Sequence, residues 1–169
     1  LDIAVQSGVL KFIITPNQLN YLDSPIKIEH LYERSKKELM PELFSFGAGT
    51  KSLEGLQIPE LGLMSEAGAI GFTDGINCIQ DSLVMRRIMS YSKMFNKPVL
   101  QHPEDKSLAG LTETNSSTIK GEMNESEIST RLGLVGIPSC AEVIIIERDL
   151  RLAKLTKAHY HVSNVSAKE

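Results

Sequence analysis

The sequence has no tryptophan, only two cysteines and no long apolar run in its 169 residues. Cys78 and Cys140 stand far apart and outside any C-x-x-C pattern, which predicts free, half-buried thiols in a reducing compartment. No apolar run approaches the ~20 residues that span a bilayer, and no signal peptide is visible. We therefore expect a cytoplasmic protein with no membrane partner, although the chain opens with Leu1 rather than methionine, which leaves room for a missing start.

The sequence also lacks an excess of positive charge. Its 18 Lys and Arg residues against 21 Asp and Glu residues give a formal net charge of -3. That balance offers no basic field for nucleic acid or for an anionic membrane. A GxGxxG stretch, a P-loop and a nucleophile elbow are missing too, so nucleotide-binding folds and serine hydrolases have no positive support. The charge balance therefore predicts no nucleic-acid partner.

Short apolar segments alternate with amphipathic stretches along the chain. The predicted strands are Val9–Thr15, Leu43–Ala48, Ala69–Thr73, Pro98–Gln101 and Ala158–Val162. The predicted helices are Ser24–Met40, Glu60–Ala67, Gln80–Phe95 and Pro138–Thr156. This alternation implies an α/β fold with a parallel sheet and right-handed crossovers. An open doubly wound sheet and a piece of a closed barrel both fit, and periodicity alone does not choose between them.

The pattern also makes local predictions about burial and order. Val9–Thr15 is nearly all apolar, which suits a strand covered on both faces. Residues 112–120 are polar and the weakest candidate for order. The candidate core positions on the helix from Gln80 are Leu83, Ile88, Tyr91 and Phe95.

Polar side chains follow four of the five predicted strands. Asn17 follows the first strand, Asp74 the third and His102 the fourth, while His161 and Asn164 lie at or beyond the fifth. Parallel α/β proteins gather ligands at the carboxyl ends of their strands. Imidazole nitrogen and carboxylate oxygen suit zinc, which acidifies a bound water to make a nucleophile. The pattern therefore favours a metal site at this edge.

Structural roles compete with this interpretation. The Asp74-Gly75 pair is a common turn in which the aspartate caps its own loop. The pattern fits two roles of His102 equally well: a side chain that is hydrogen-bonded in the core, and a side chain that binds a metal. The charged residues 147–149, with Arg151, are typical of a solvated or interhelical salt-bridge face.

Four segments of the chain are recognisable, in this order: ITPNQ at residues 14–18, AGAIGFTDG at 67–75, KPVLQHPED at 97–105 and the long stretch 121–169. Together they resemble the dihydroorotase family, which has the corresponding motifs in the same order. Residues 14–18 (ITPNQ) resemble the turn after an early strand of the barrel, and residues 67–75 (AGAIGFTDG) resemble the stretch that ends in Phe-Thr/Ser-Asp. Residues 97–105 (KPVLQHPED) resemble the strand that ends in His-Cys-Glu-Asp. Residues 121–169 are similar to a long and specific pattern of the family, which includes LGL-x-GIP-x-x-AE and ends near HVST-x-E. The resemblance implies a metal-dependent (β/α)8 barrel that interconverts N-carbamoyl-L-aspartate and L-dihydroorotate in pyrimidine biosynthesis.

Residue by residue, the resemblance makes Asp74 a metal-bridging carboxylate, His102 a ligand of the second metal and Asn17 a substrate-binding residue. The implied metal is zinc. Asn164 stands where the family has a ligand histidine, and amide oxygen is the weaker zinc donor. The family's His-x-His-x-Arg motif would lie before Leu1, and its acid-base aspartate beyond Glu169, so we expect no catalytic residue within the chain.

The resemblance implies that residues 1–169 are the central segment of one barrel domain, a partial barrel of about five strands with a loop-rich insertion at 106–137. Two functional hypotheses stay open. One is an active dihydroorotase of which this chain is an incomplete part. The other is an inactive homologue that supports aspartate transcarbamoylase, and a homo-oligomer is also compatible. A hydantoinase is disfavoured, because its metal-bridging residue is a carbamylated lysine and no lysine ends the third strand.

Overall fold

A computed structural model describes residues 6–18, 20–36, 42–111 and 121–169. Its strands are β1 (Lys11–Ile14), β2 (Glu42–Ser45), β3 (Val99–Gln101), β4 (Met123–Asn124), β5 (Gly136–Ile137) and β6 (Tyr160–Val162). Its α-helices are α1 (Pro25–Ser35), α2 (Leu61–Glu66), α3 (Ser82–Met94), α4 (Glu127–Leu132) and α5 (Cys140–Thr156). None of the helices in these ranges is long and apolar enough to cross a membrane.

All the strand pairs in the described ranges are parallel, which confirms the predicted α/β class. β1 pairs with β2, and β3 pairs with β6. Between these pairs, Phe72 forms isolated parallel bridges to Gly47 on one side and to Val99 on the other. The carboxyl ends of these segments therefore point to the same edge of the sheet.

The predicted strand Ala69–Thr73 was wrong as a regular strand, because only Phe72 forms bridges there. Gly71 lies so close to the Pro98 carbonyl that an added Cβ would stand 2.8 Å from its oxygen. Glycine inside a strand often marks such a close approach and weakens regular pairing. The segment still forms backbone hydrogen bonds on both sides, since Ile70 N donates to Ser45 O and Leu100 N donates to Phe72 O, each at 2.9 Å.

Residues 121–137 contain regular structure that the sequence pattern did not predict. β4 and β5 pair in parallel, and α4 lies between them in the chain. A capping box between Ser126 and Ser129 starts this helix. Strands of two residues are too short for a periodicity signal, which requires at least four residues of alternation. Residues 112–120 lie outside the described ranges.

The hydrophobic core lies under the helices. On α3, two of the predicted core residues lie one position away from residues that are buried. Ile88 is fully buried, as predicted, but its buried neighbours on α3 are Val84, Met85 and Met89. Leu83 and Tyr91 were wrong as core positions, because they are 51% and 52% exposed. The other buried members of the core cluster are Leu22, Ile28, Leu61, Met64, Ala69, Phe72, Ile79 and Val99.

Predictions on the burial of β1, on the end of α1 and on the burial of the two cysteines also differ from the structure. β1 was expected to be covered on both faces, but Ile13 is 52% exposed, and in the described ranges β1 pairs only with β2. α1 ends at Ser35 rather than Met40, and 37–41 lie outside the described residues. Both cysteines are free as expected, although Cys78 is buried and Cys140 exposed.

Candidate functional site at the strand ends

The structure brings the predicted site residues together as two pairs. The first pair joins Asn17, beyond β1, to the turn at Asp74. A Cβ added to Gly75 would meet the Asn17 Cγ at 3.0 Å, so the asparagine side chain lies directly against the residue that follows Asp74. Gly75 has a φ of +67°, a left-handed conformation that glycine adopts without strain. Glycine at this position therefore allows both the turn and the close approach of Asn17.

Asp74 is buried, and both of its carboxylate oxygens accept hydrogen bonds from the neighbouring loop at residues 49–50. Its Oδ1 accepts from Gly49 N and Thr50 N, each at 2.9 Å, and its Oδ2 accepts from the Thr50 hydroxyl. Burial raises the pKa of the Asp74 carboxyl, and the hydrogen bonds from Gly49 and Thr50 oppose this shift, as does the Lys106 charge. The carboxylate thus holds residues 49–50 against the turn after the Phe72 segment. This role is structural, but it differs from the predicted one, in which the aspartate caps its own loop.

We predict that Asp74→Ala destabilises the protein by about 2–4 kcal/mol, because it leaves two buried backbone N–H groups and a hydroxyl without their acceptor. The measurement is urea unfolding of the full-length protein. Thr50→Val is the matched control, since it removes the contacts of the hydroxyl with Asp74 and with Gly55 N but keeps the two backbone amides paired with Asp74, and it should cost less than Asp74→Ala. A loss below 1 kcal/mol for Asp74→Ala would show that residues 49–50 are held by other contacts.

The second pair joins the ends of β3 and β6. Asn164 Nδ2 lies 3.4 Å from His102 Nδ1. Asn164 has a φ of +57°, and asparagine is among the few residues that adopt this region readily. The Ser163 amide donates to the Gln101 carbonyl at 2.9 Å, which continues the β3–β6 pairing up to the residue before Asn164. Asn164 therefore occupies, beside His102, the place that the resemblance gives to a second histidine.

A cavity of about 470 Å³ opens beside this second pair. Its polar lining includes His102, Glu104, Glu125, Glu142, Asn164 and Lys168. Asn17 and Asp74 are not part of its lining. The cavity is rich in carboxylates, and among the described residues no group of three or more His, Cys, Asp or Glu side chains is arranged to hold a metal ion.

A buried polar network is centred on Asp149, and the sequence analysis did not predict it. The charged residues 147–149 were expected to be a solvated or interhelical salt-bridge face. Glu147 does form an exposed pair with Arg151, but Asp149 is 0% exposed. Its Oδ2 accepts from Gln101 Nε2 at 2.8 Å and from the Tyr160 hydroxyl at 2.9 Å. The interpretation was therefore wrong for Asp149, because α5 turns this side chain towards the β3–β6 pair.

Arg148 completes the network and connects it to the chain before α3. Its guanidinium donates to Asp149 Oδ1 at 2.8 Å and to the Ile79 and Gln80 carbonyls at 2.8 and 2.6 Å. Burial raises the pKa of the Asp149 carboxyl, and the Arg148 charge opposes that shift. A buried charge requires such a partner. The one related feature of the sequence is the apolar run Ile144–Ile146, which precedes the charged residues 147–149 on the same helix.

The network extends to the loop that carries His102. Gln80 Nε2 donates to the Glu104 carbonyl at 2.8 Å, and Gln80 Oε1 accepts from Lys106 N at 3.1 Å. Gln101 directly precedes His102 and accepts from Ile79 N through its Oε1 at 3.0 Å. The position of His102 is thus fixed by the sheet on one side and by these side chains on the other.

Comparison with known proteins identifies the family. The dihydro-orotase-like family matches residues 3–169. A dihydroorotase from Endomicrobium trichonymphae is 36% identical over 163 residues, covering 96% of this chain and 36% of the relative. A dihydroorotase from Caldicellulosiruptor saccharolyticus is 36% identical over 166 residues, covering 98% and 36% of the respective chains. The chain thus spans about a third of the length of these relatives.

Among solved structures, an L-hydantoinase (dihydropyrimidinase) from Arthrobacter aurescens has a similar fold, with a TM-score of 0.68, 18% sequence identity, and coverage of 98% of this chain and 36% of that one. The chain thus shares the parallel α/β fold class of that structure. Within that class, the chain belongs to the dihydro-orotase-like family.

Proposed function

We propose that this chain forms the central part of a dihydroorotase, which interconverts N-carbamoyl-L-aspartate and L-dihydroorotate in pyrimidine biosynthesis. The observation that carries the proposal is the match of residues 3–169 to the family, with His102 and Asn164 side by side at the ends of β3 and β6. The curated relatives bear the name of the enzyme, so they do not favour an inactive scaffold. The strands of the chain would form about five of the eight strands of the barrel.

Asn17 is the residue that we assign to the substrate. Its Oδ1 is buried and has no hydrogen-bond partner among the described residues. A buried acceptor without a partner is uncommon in folded proteins and calls for an explanation. Both dihydroorotate and carbamoyl aspartate carry N–H groups that could donate to this oxygen. The amide therefore supports a role in substrate binding, next to the turn at Asp74.

Zinc does not fit the described residues by themselves. A catalytic zinc site typically has three protein ligands and an open position. Both Asp74 oxygens accept hydrogen bonds from residues 49–50, and Asn164 offers an amide beside the His102 imidazole. We therefore assign no zinc to these residues.

The family resemblance supports a wider proposal. The protein is cytoplasmic, and its substrates are the small molecules N-carbamoyl-L-aspartate and L-dihydroorotate. It acts as a homo-oligomer or in association with aspartate transcarbamoylase.

The proposal is tested by following ring opening of L-dihydroorotate with the full-length protein, in the presence and absence of added zinc. We expect turnover in the wild type, and Asn17→Ala should raise KM about 3–10-fold, the loss of one hydrogen bond. Asn20→Ala is the matched control, since Asn20 is exposed in the same loop. Absence of turnover in the zinc-supplemented wild type would overturn the proposal, and an unchanged KM in Asn17→Ala would remove Asn17 from it.

A further inference from the structure

We infer that Glu142 is a positioning residue that sets the geometry between Asn164 and His102. This role bears on catalysis only through the proposed function, on which the inference rests. The test measures geometry and does not depend on activity. Glu142 lies in the first turn of α5, away from the strands that carry the pair. Its carboxylate reaches the loop beyond β6, two residues after Asn164.

Both oxygens of Glu142 are used in that contact. Oε1 accepts from Ser166 N at 2.8 Å and from Ala167 N at 3.1 Å. Oε2 accepts from Ala167 N at 3.1 Å and from the Ser166 hydroxyl. Hydrogen bonds to an ionised acceptor are about twice as strong as neutral ones. A single side chain thus fixes two successive backbone amides and one hydroxyl.

These contacts place Asn164 between two anchors. On one side, Ser163 N donates to the Gln101 carbonyl at 2.9 Å, which ties the loop to β3. On the other side, Ser166 N donates to Glu142. The residue between the anchors has a left-handed backbone, with a φ of +57° at Asn164. Its side chain can meet His102 only if both anchors hold the loop.

The same turn of α5 also holds the loop that carries His102. Asp105 N donates to the Ala141 carbonyl at 2.9 Å, and Ala141 is the residue before Glu142. Neighbouring residues of one helix therefore hold the loops after β3 and after β6. The carboxylate of Glu142 is the part of this arrangement that a substitution can remove without changing the helix.

The test is the proton contact between the Asn164 side-chain amide and the His102 ring, observed by NMR in the full-length protein with labelled asparagine and histidine. We expect this signal in the wild type, its loss in Glu142→Ala and a weaker signal in Glu142→Gln, whose amide keeps one acceptor oxygen. Glu147→Gln is the matched control, because it removes an exposed carboxylate from the same helix, and its signal should match the wild type.

An unchanged signal in Glu142→Ala would overturn the inference. If that variant does not fold, Glu142→Gln decides, since an undiminished signal there would overturn it equally. Turnover measured in parallel separates this inference from the proposed function. An inactive wild type whose signal depends on Glu142 would overturn the function alone, whereas an active wild type whose signal is independent of Glu142 would overturn the positioning role alone.

Discussion

Asp149→Ala should lower the free energy of unfolding by about 3–5 kcal/mol, the usual cost of removing one partner of a buried ion pair. The carboxylate accepts from Arg148, Gln101 and Tyr160. Without it, the Arg148 guanidinium, whose side chain is 17% exposed, keeps its charge in a buried position. The measurement is urea unfolding of the full-length protein, with the slope of the transition compared between variants.

Glu147→Ala is the control for this prediction, because Glu147 lies on the same helix and pairs with Arg151 at the surface. An exposed pair of this kind contributes about 0.2–1 kcal/mol, so the control should stay close to the wild type. Asp149→Asn keeps the shape and one acceptor oxygen and should fall between the two. Equal stability of the Asp149 and Glu147 alanine variants would mean that water replaces the carboxylate and that the network is not buried.

The role of Asp149 also shows where sequence reasoning reached its limit. Residues 147–149 carry alternating charges, and the pattern gives no information on which of them faces the sheet. Three-dimensional packing decides this, because the partners of Asp149 come from two different strands, 48 residues away in sequence for Gln101 and 11 for Tyr160. The same limit explains Leu83 and Tyr91, which have apolar side chains at helical spacing yet lie one position away from the buried side of α3.

The ends of the parallel strands were the more predictable part of the site. Asn17, Asp74, His102 and Asn164 each follow a predicted strand, and the family resemblance assigns each of them a place in the site. The structure pairs Asn17 with the turn at Asp74 and His102 with Asn164. The rule that parallel strands share an edge requires no knowledge of side-chain contacts. It could not reveal Glu142, which comes from a helix and acts through backbone amides of the next loop.

The pairing of His102 with Asn164 leads to the second large expected effect. Asn164→His in the full-length protein should increase its affinity for zinc by about tenfold or more. Imidazole is a preferred zinc ligand, and even a residue that only hydrogen-bonds a metal ligand changes metal affinity by about 10–100-fold. The new ring would stand beside His102, where Asn164 Nδ2 now lies 3.4 Å from Nδ1. Competition with a chromophoric chelator measures the change.

The backbone at Asn164 should accept this substitution. Its φ of +57° lies in the region where asparagine, aspartate and histidine are enriched among non-glycine residues, so histidine should add little strain. Asn164→Ala is the control and should leave zinc affinity at or below that of the wild type. In the double variant that also carries His102→Ala, the gain should disappear, because the second imidazole would have lost its partner. Zinc affinity that rises equally in Asn164→His with and without His102 would show that the two positions do not share a metal, and would separate the ends of β3 and β6 into independent sites.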